Sequence, residues 1–128
     1  MDRKILAVGA FFGLTAVILG AFGAHALKDV LNLQQLSTFD TGVRYQFYHA
    51  LLLLFIGSLN MSPGQRRNVI FYLLTVGIVF FSGSIYLLAT DNLNDFNFKR
   101  IALVTPIGGL LLIVAWLLLF VEFLKKKS

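Results

Sequence analysis

The polar residues inside the apolar stretches of this chain are where chemistry could reside. They are His25, then Arg44, Tyr45, Gln46, Tyr48 and His49, then Ser82, Ser84 and Tyr86, and finally Thr105. Two histidines invite a metal or proton-relay reading, and serines beside a histidine invite a hydrolytic one. Neither pattern is complete. His25 and His49 lie on separate segments, with no third histidine and no carboxylate at ligand spacing, so no metal site is expected. A serine triad needs an acid to orient its histidine, and only Asp40 lies near. The chain has no cysteine, which removes thiolate ligands and cysteine nucleophiles. The simpler role for these groups is a neutral imidazole and hydroxyls bonded across neighbouring helices.

Such side chains need elements to carry them, and the composition says which. Of 128 residues, 58% are hydrophobic and 13% charged, about half the ~25% charge of an ordinary soluble domain. Four apolar segments are present, approximately 5–26, 41–59, 68–89 and 101–124. Each matches the ~20 residues that cross a bilayer as a helix. The expected fold is an all-α membrane protein, a single domain over 1–128 built as a four-transmembrane-helix bundle. The small-x-small run Ala24-His25-Ala26 fits a signal-peptidase site, but the apolar stretch before it is long for a signal sequence.

Residues 27–40 form the long polar connection, where a short amphipathic helix at the interface is expected. Ser62-Pro63-Gly64 marks a tight turn between the second and third segments. The net charge of +5 is explained by membrane topology rather than by nucleic acid. Arg3, Lys4, Arg66, Arg67, Lys125, Lys126 and Lys127 fall on one side, against Lys28, Arg44, Lys99 and Arg100 on the other. The richer side is the cytoplasmic one, so both termini are expected inside.

With that topology, His25, Arg44, Tyr45, His49, Ser82, Ser84, Tyr86 and Thr105 fall in the outer half of their helices. The stretches 51–56, 69–74 and 110–120 in the inner halves are almost wholly apolar. Shared depth suggests one cluster. It is either a hydrogen-bond network that glues helices or a cavity open to the outer leaflet. Arg44 lies four residues after Asp40, at ion-pair spacing on one helical face, and could otherwise hold a lipid phosphate or carboxylate. His49 is expected to reach a group on the third or fourth helix, directly or through one water, with Ser82, Ser84 and Thr105 as the candidates. Tyr45 is expected to face the same interior. The first segment also carries a small-residue stripe, Gly9, Gly13, Ala16, Gly20 and Ala24, with Gly23 alongside, which predicts close helix contact.

The segments Gly20–Leu27, Thr41–Ala50, Phe81–Tyr86 and Thr105–Gly109, in this order and spacing, resemble the membrane family called domain of unknown function 423, which includes the transmembrane protein 256 group. The resemblance covers essentially the whole chain. It implies a small four-span protein, bacterial or organellar, with no established activity, so it assigns no catalytic residue.

The functional expectation is a non-enzymatic protein of the bacterial inner (plasma) membrane, without cofactor. It would bind a lipid, an amphiphile or a membrane-protein partner through the outer-half cluster. A homo-oligomer is a further expectation, with the small-residue stripe packing on a helix of the same chain or of a second subunit. The alternative is a small transporter or channel subunit acting as an oligomer.

Overall fold

The structure, a computed structural model, describes residues 2–59, 65–93 and 98–125. The turn expected at Ser62-Pro63-Gly64 lies outside these residues. Among them are four long helices: α1 (Arg3–His25), α2 (Leu33–Ser58), α3 (Gln65–Ala89) and α4 (Phe98–Lys125). Short 3-10 helices at Leu27–Asp29 and Asp91–Leu93 adjoin α1 and α3, and no strand is present among the described residues. By length and apolar composition α1, α3 from Arg66 and α4 from Lys99 are each able to cross a membrane. α2 is as long, but Gln34, Gln35, Asp40, Arg44, Gln46 and His49 lower its hydropathy.

The connection after α1 differs from the expectation. Only Leu27–Asp29 forms a separate short helix, and residues 33–40 belong to α2. The cause is local. Asn32 Oδ1 accepts from the Gln35 backbone N–H at 2.7 Å, and Gln35 Oε1 accepts from the Asn32 N–H at 2.9 Å. This capping box satisfies two orphan donors and starts the helix eight residues before the apolar run begins. Leu36 and Phe39 of the added turns pack with Leu27, Leu31 and Ala89 in a small core of their own.

The helices run up and down, so the start of α1, the end of α2, the start of α3 and the end of α4 share one end, called here the basic end. Asp2 ties it together. Its side chain caps α1 through the N–H groups of Lys4 and Ile5, its own N–H donates to Gly57 O at 2.8 Å, and its Oδ2 pairs with Arg67 Nη2 at 3.2 Å. Arg66 pairs with Glu122 at 3.0 Å, joining α3 to α4. Above these charges all four helices contribute to the main core, including Ile5, Leu53, Ile56, Ile70, Leu74, Ile78, Leu112 and Leu119. Each helix packs chiefly on its neighbour in sequence, α1 on α2, α2 on α3 and α3 on α4. α1 and α4 thus form the two outer elements, and their apolar side chains, such as Phe11, Leu14, Val17, Leu110, Leu117 and Phe120, are exposed.

The small-residue stripe lies on the α1–α2 contact. A Cβ on Gly9 would sit 3.0 Å from Leu53 Cβ and 3.1 Å from both Ala50 O and Leu54 N, so the two backbones nearly touch there. Ala16 is buried, and Gly20 faces Val43. Two members differ. Gly13 has only Ala50 Cβ at 3.9 Å before it, and Ala24 is exposed, its place taken by Gly23 against the Phe39 ring. The reason is helical rotation. Buried Ala16 and Gly23 are seven residues apart, close to two full turns, whereas Ala24 is a further ~100° round.

Candidate functional site

Three polar groupings link the helices. The first centres on Gln46, at the middle of α2 and 4% exposed. Its Nε2 donates to Phe12 O at 2.9 Å and to Thr15 Oγ1 at 2.7 Å on α1. Its Oε1 accepts from the Tyr86 hydroxyl of α3 at 2.6 Å. Both amide hydrogens and the carbonyl are engaged, so this amide is spent on holding three helices together. Gly42, one turn earlier, makes the geometry feasible. A Cβ there would lie 2.7 Å from Tyr86 Cε1, and the bare backbone lets the ring pass.

The second grouping is Ser82, Ser84 and Thr105. Ser82 Oγ donates to Gly42 O at 2.8 Å, a second α3–α2 bond. Ser84 Oγ donates to Phe81 O at 3.0 Å and lies 2.5 Å from Thr105 Oγ1 on α4. With the serine proton committed to the carbonyl, Thr105 is the donor of the pair.

The third is His49. It is buried, and its side-chain partner lies on the fourth helix, though it is an indole and none of the three candidate hydroxyls. Trp116 Nε1 of α4 donates to His49 Nε2 at 3.0 Å, and His49 Nδ1 lies 2.7 Å from Tyr45 O. An indole N–H can only donate, so Nε2 is the bare acceptor and Nδ1 carries the proton toward the Tyr45 carbonyl. The imidazole is the neutral Nδ1–H tautomer. Tyr45 stacks on it with ring centroids 6.3 Å apart and lies 5.3 Å from Phe81. Its ring is partly exposed, and with His49, Phe81, Gly109 and Trp116 it lines a cleft of about 230 Å³.

Along the helices these groupings stand at different levels. Thr105 and Ser84 stand toward the end opposite the basic one, Gln46 is central, and His49 and Trp116 each stand nine residues short of the basic end of their helices. Because α2 begins at Leu33, its midpoint falls between Tyr45 and Gln46, and His49 stands on the basic-end side of it.

The remaining candidates face outward. Arg44 Nε lies 2.7 Å from Asp40 Oδ2, with the side chains 65% and 51% exposed, an interfacial ion pair on the helix surface. Tyr48 and His25 are also exposed. Among the described residues no three His, Asp or Glu side chains gather where a metal could sit. Arg44 lines an apolar cleft of about 400 Å³ between α1 and α2, with Ala16, Val17, Gly20, Ala21, Val43, Phe47 and Tyr48.

Two contributors, Thr15 and Trp116, were not read from the sequence, and Gln46 was named among its polar residues but not in the outer-half cluster. Gln46 was visible as an uncharged amide in mid-span. Trp116, the chain's one tryptophan, carries a donor that needs a partner wherever it is buried. Thr15 carried no signal beyond its hydroxyl among glycines.

Comparison with known proteins places the chain. Residues 19–109 match the family model described as protein of unknown function (DUF423). A UPF0382 membrane protein of Staphylococcus saprophyticus is 42% identical over 96% of this chain and 98% of its own. A UPF0382 membrane protein of Haemophilus influenzae is 35% identical over 100% and 99%. A UPF0382 inner membrane protein of Escherichia coli is 35% identical over 98% and 93%. No solved structure matches the chain. The resemblance carried by the four sequence segments therefore holds, and the chain belongs to the DUF423 family of membrane proteins of unknown function.

Proposed function

We propose that this chain crosses the bacterial inner membrane four times with both termini in the cytoplasm, catalyses no reaction, and binds a membrane lipid or a similar amphiphile on its α1–α2 face. Four spans are supported by α2, which packs along α1 from Gly57 against Leu6 to Phe39 against Gly23 and so lies beside a span over its length. The orientation rests on Arg3, Lys4, Arg66, Arg67 and Lys125 at the basic end. The inner-membrane reading draws on the name of the Escherichia coli relative.

The observation that carries the binding role is the apolar α1–α2 cleft, next to a polar network that is satisfied from within. Gln46 and both ring nitrogens of His49 have partners in the chain itself. They act as structural connections, and the larger α1–α2 cleft of about 400 Å³ is a surface a ligand can occupy. The apolar main core offers a transport path no polar groups to follow at the basic end, which weighs against the channel alternative. Native mass spectrometry of the protein released from bacterial membranes tests the role. A retained lipid-sized adduct in the wild type is expected, and a bare protein mass under conditions that preserve lipid adducts on a control membrane protein would overturn it.

A further inference from the structure

The apolar α1–α2 cleft continues into a second one. A space of about 270 Å³ is lined by Gly20, Gly23, Ala24, Lys28, Leu36, Phe39, Asp40 and Val43. It shares Gly20 and Val43 with the cleft beside Arg44. Together they form one groove along the seam of α1 and α2. Its α1 side is lined by the small residues Ala16, Gly20 and Ala21 together with Val17. Two cations border it, Arg44 on α2 and Lys28 just past α1, against the single carboxylate of Asp40. Both cations are on the surface, and Ala21 is four residues, about 6 Å, from the end of α1, where head groups lie.

We propose that this groove is a binding site for an anionic diacyl phospholipid, with an acyl chain against Ala16, Ala21 and Phe47 and the phosphate between Arg44 and Lys28. The assignment rests on the lipid-binding reading above and adds the head group. Charge complementarity decides it. Asp40 approaches Arg44 through Nε, and a phosphodiester can take the outward side of the guanidinium while Lys28 supplies a second charge. A zwitterionic lipid brings no net charge for the surplus cation to meet. A basic residue near a membrane surface contributes about 1 kcal/mol toward an anionic lipid, about a fivefold change in affinity.

The test is competitive lipid retention by the full chain in detergent, read by native mass spectrometry with dioleoyl phosphatidylglycerol and dioleoyl phosphatidylcholine. Wild type should prefer phosphatidylglycerol by about fivefold or more. Arg44→Gln and Lys28→Gln should each reduce that preference by about fivefold, and Asp40→Asn should increase it. Ala21→Phe, which fills the groove from an exposed position, should reduce retention of both lipids, with helicity by circular dichroism unchanged. Equal retention of the two lipids, unaffected by Arg44→Gln, would overturn the head-group assignment and leave the lipid reading standing. Retention of neither lipid by the wild type would overturn both.

Discussion

The indole of Trp116 donates to Nε2 of His49 across the α2–α4 gap at 3.0 Å. α2 and α4 are not sequence neighbours and pack on each other only lightly, so this bond fastens elements that burial alone leaves loosely joined. It also determines the tautomer of a histidine buried in an apolar setting. Trp116→Phe keeps most of the ring and removes the donor, so it should lower thermal stability in detergent by about 0.6–1 kcal/mol. His49→Gln should cost little, because an amide oxygen can accept from the same indole, whereas His49→Leu should cost as much as Trp116→Phe. Trp116 is the chain's single tryptophan, so its fluorescence reports this contact directly. An emission maximum that moves with His49→Leu but not with His49→Gln is the expected result.

Gln46 should be the most sensitive polar residue of the chain. Gln46→Leu strands the Tyr86 hydroxyl and removes two bonds to α1. The expected loss is about 1–3 kcal/mol, the range for a buried group left unpaired. Adding Tyr86→Phe removes the stranded hydroxyl, so the double variant should be less destabilised than the two single losses summed. Thermal unfolding of the four proteins of this cycle measures the coupling, and strict additivity would show that the bond contributes nothing.

The glycines should divide sharply. A Cβ at Gly108 would overlap the backbone of Phe80 and Phe81, so Gly108→Ala must separate α3 from α4, at about 1–3 kcal/mol. Gly9→Ala should behave similarly against α2, whose backbone would lie 3.1 Å from the new carbon. Gly13→Ala meets only Ala50 Cβ at 3.9 Å, and Gly83 has nothing within 4 Å. Both of the latter should be neutral or stabilising by up to ~1 kcal/mol through helix propensity. Melting temperatures of the four alanine variants decide the ranking.

Topology can be read with single cysteines, since the chain has none of its own. Asn92→Cys sits on an exposed turn at the far end, and Lys125→Cys at the basic end. A membrane-impermeant maleimide should label the first in intact cells and the second only after lysis. The reverse pattern would invert the orientation.

Much of this architecture was legible in the residues themselves. Apolar segments of bilayer length, the lysine and arginine asymmetry and the Asp40–Arg44 spacing all depend on composition or on neighbours along one helix, and local physics sets them. The segments around Gly20, Arg44, Ser82 and Thr105 likewise placed the chain in its family. The start of α2 was masked because Asn32 and Gln35 read as loop residues until their reciprocal bonds are seen. The tertiary structure decided which polar group meets which. Helices joined by loops can rotate and slide by a residue, and each residue of rotation turns a side chain by about 100°. Such a rotation separates Gly23, buried against Phe39, from exposed Ala24. Register alone likewise gives Tyr86 to Gln46 and Trp116 to His49.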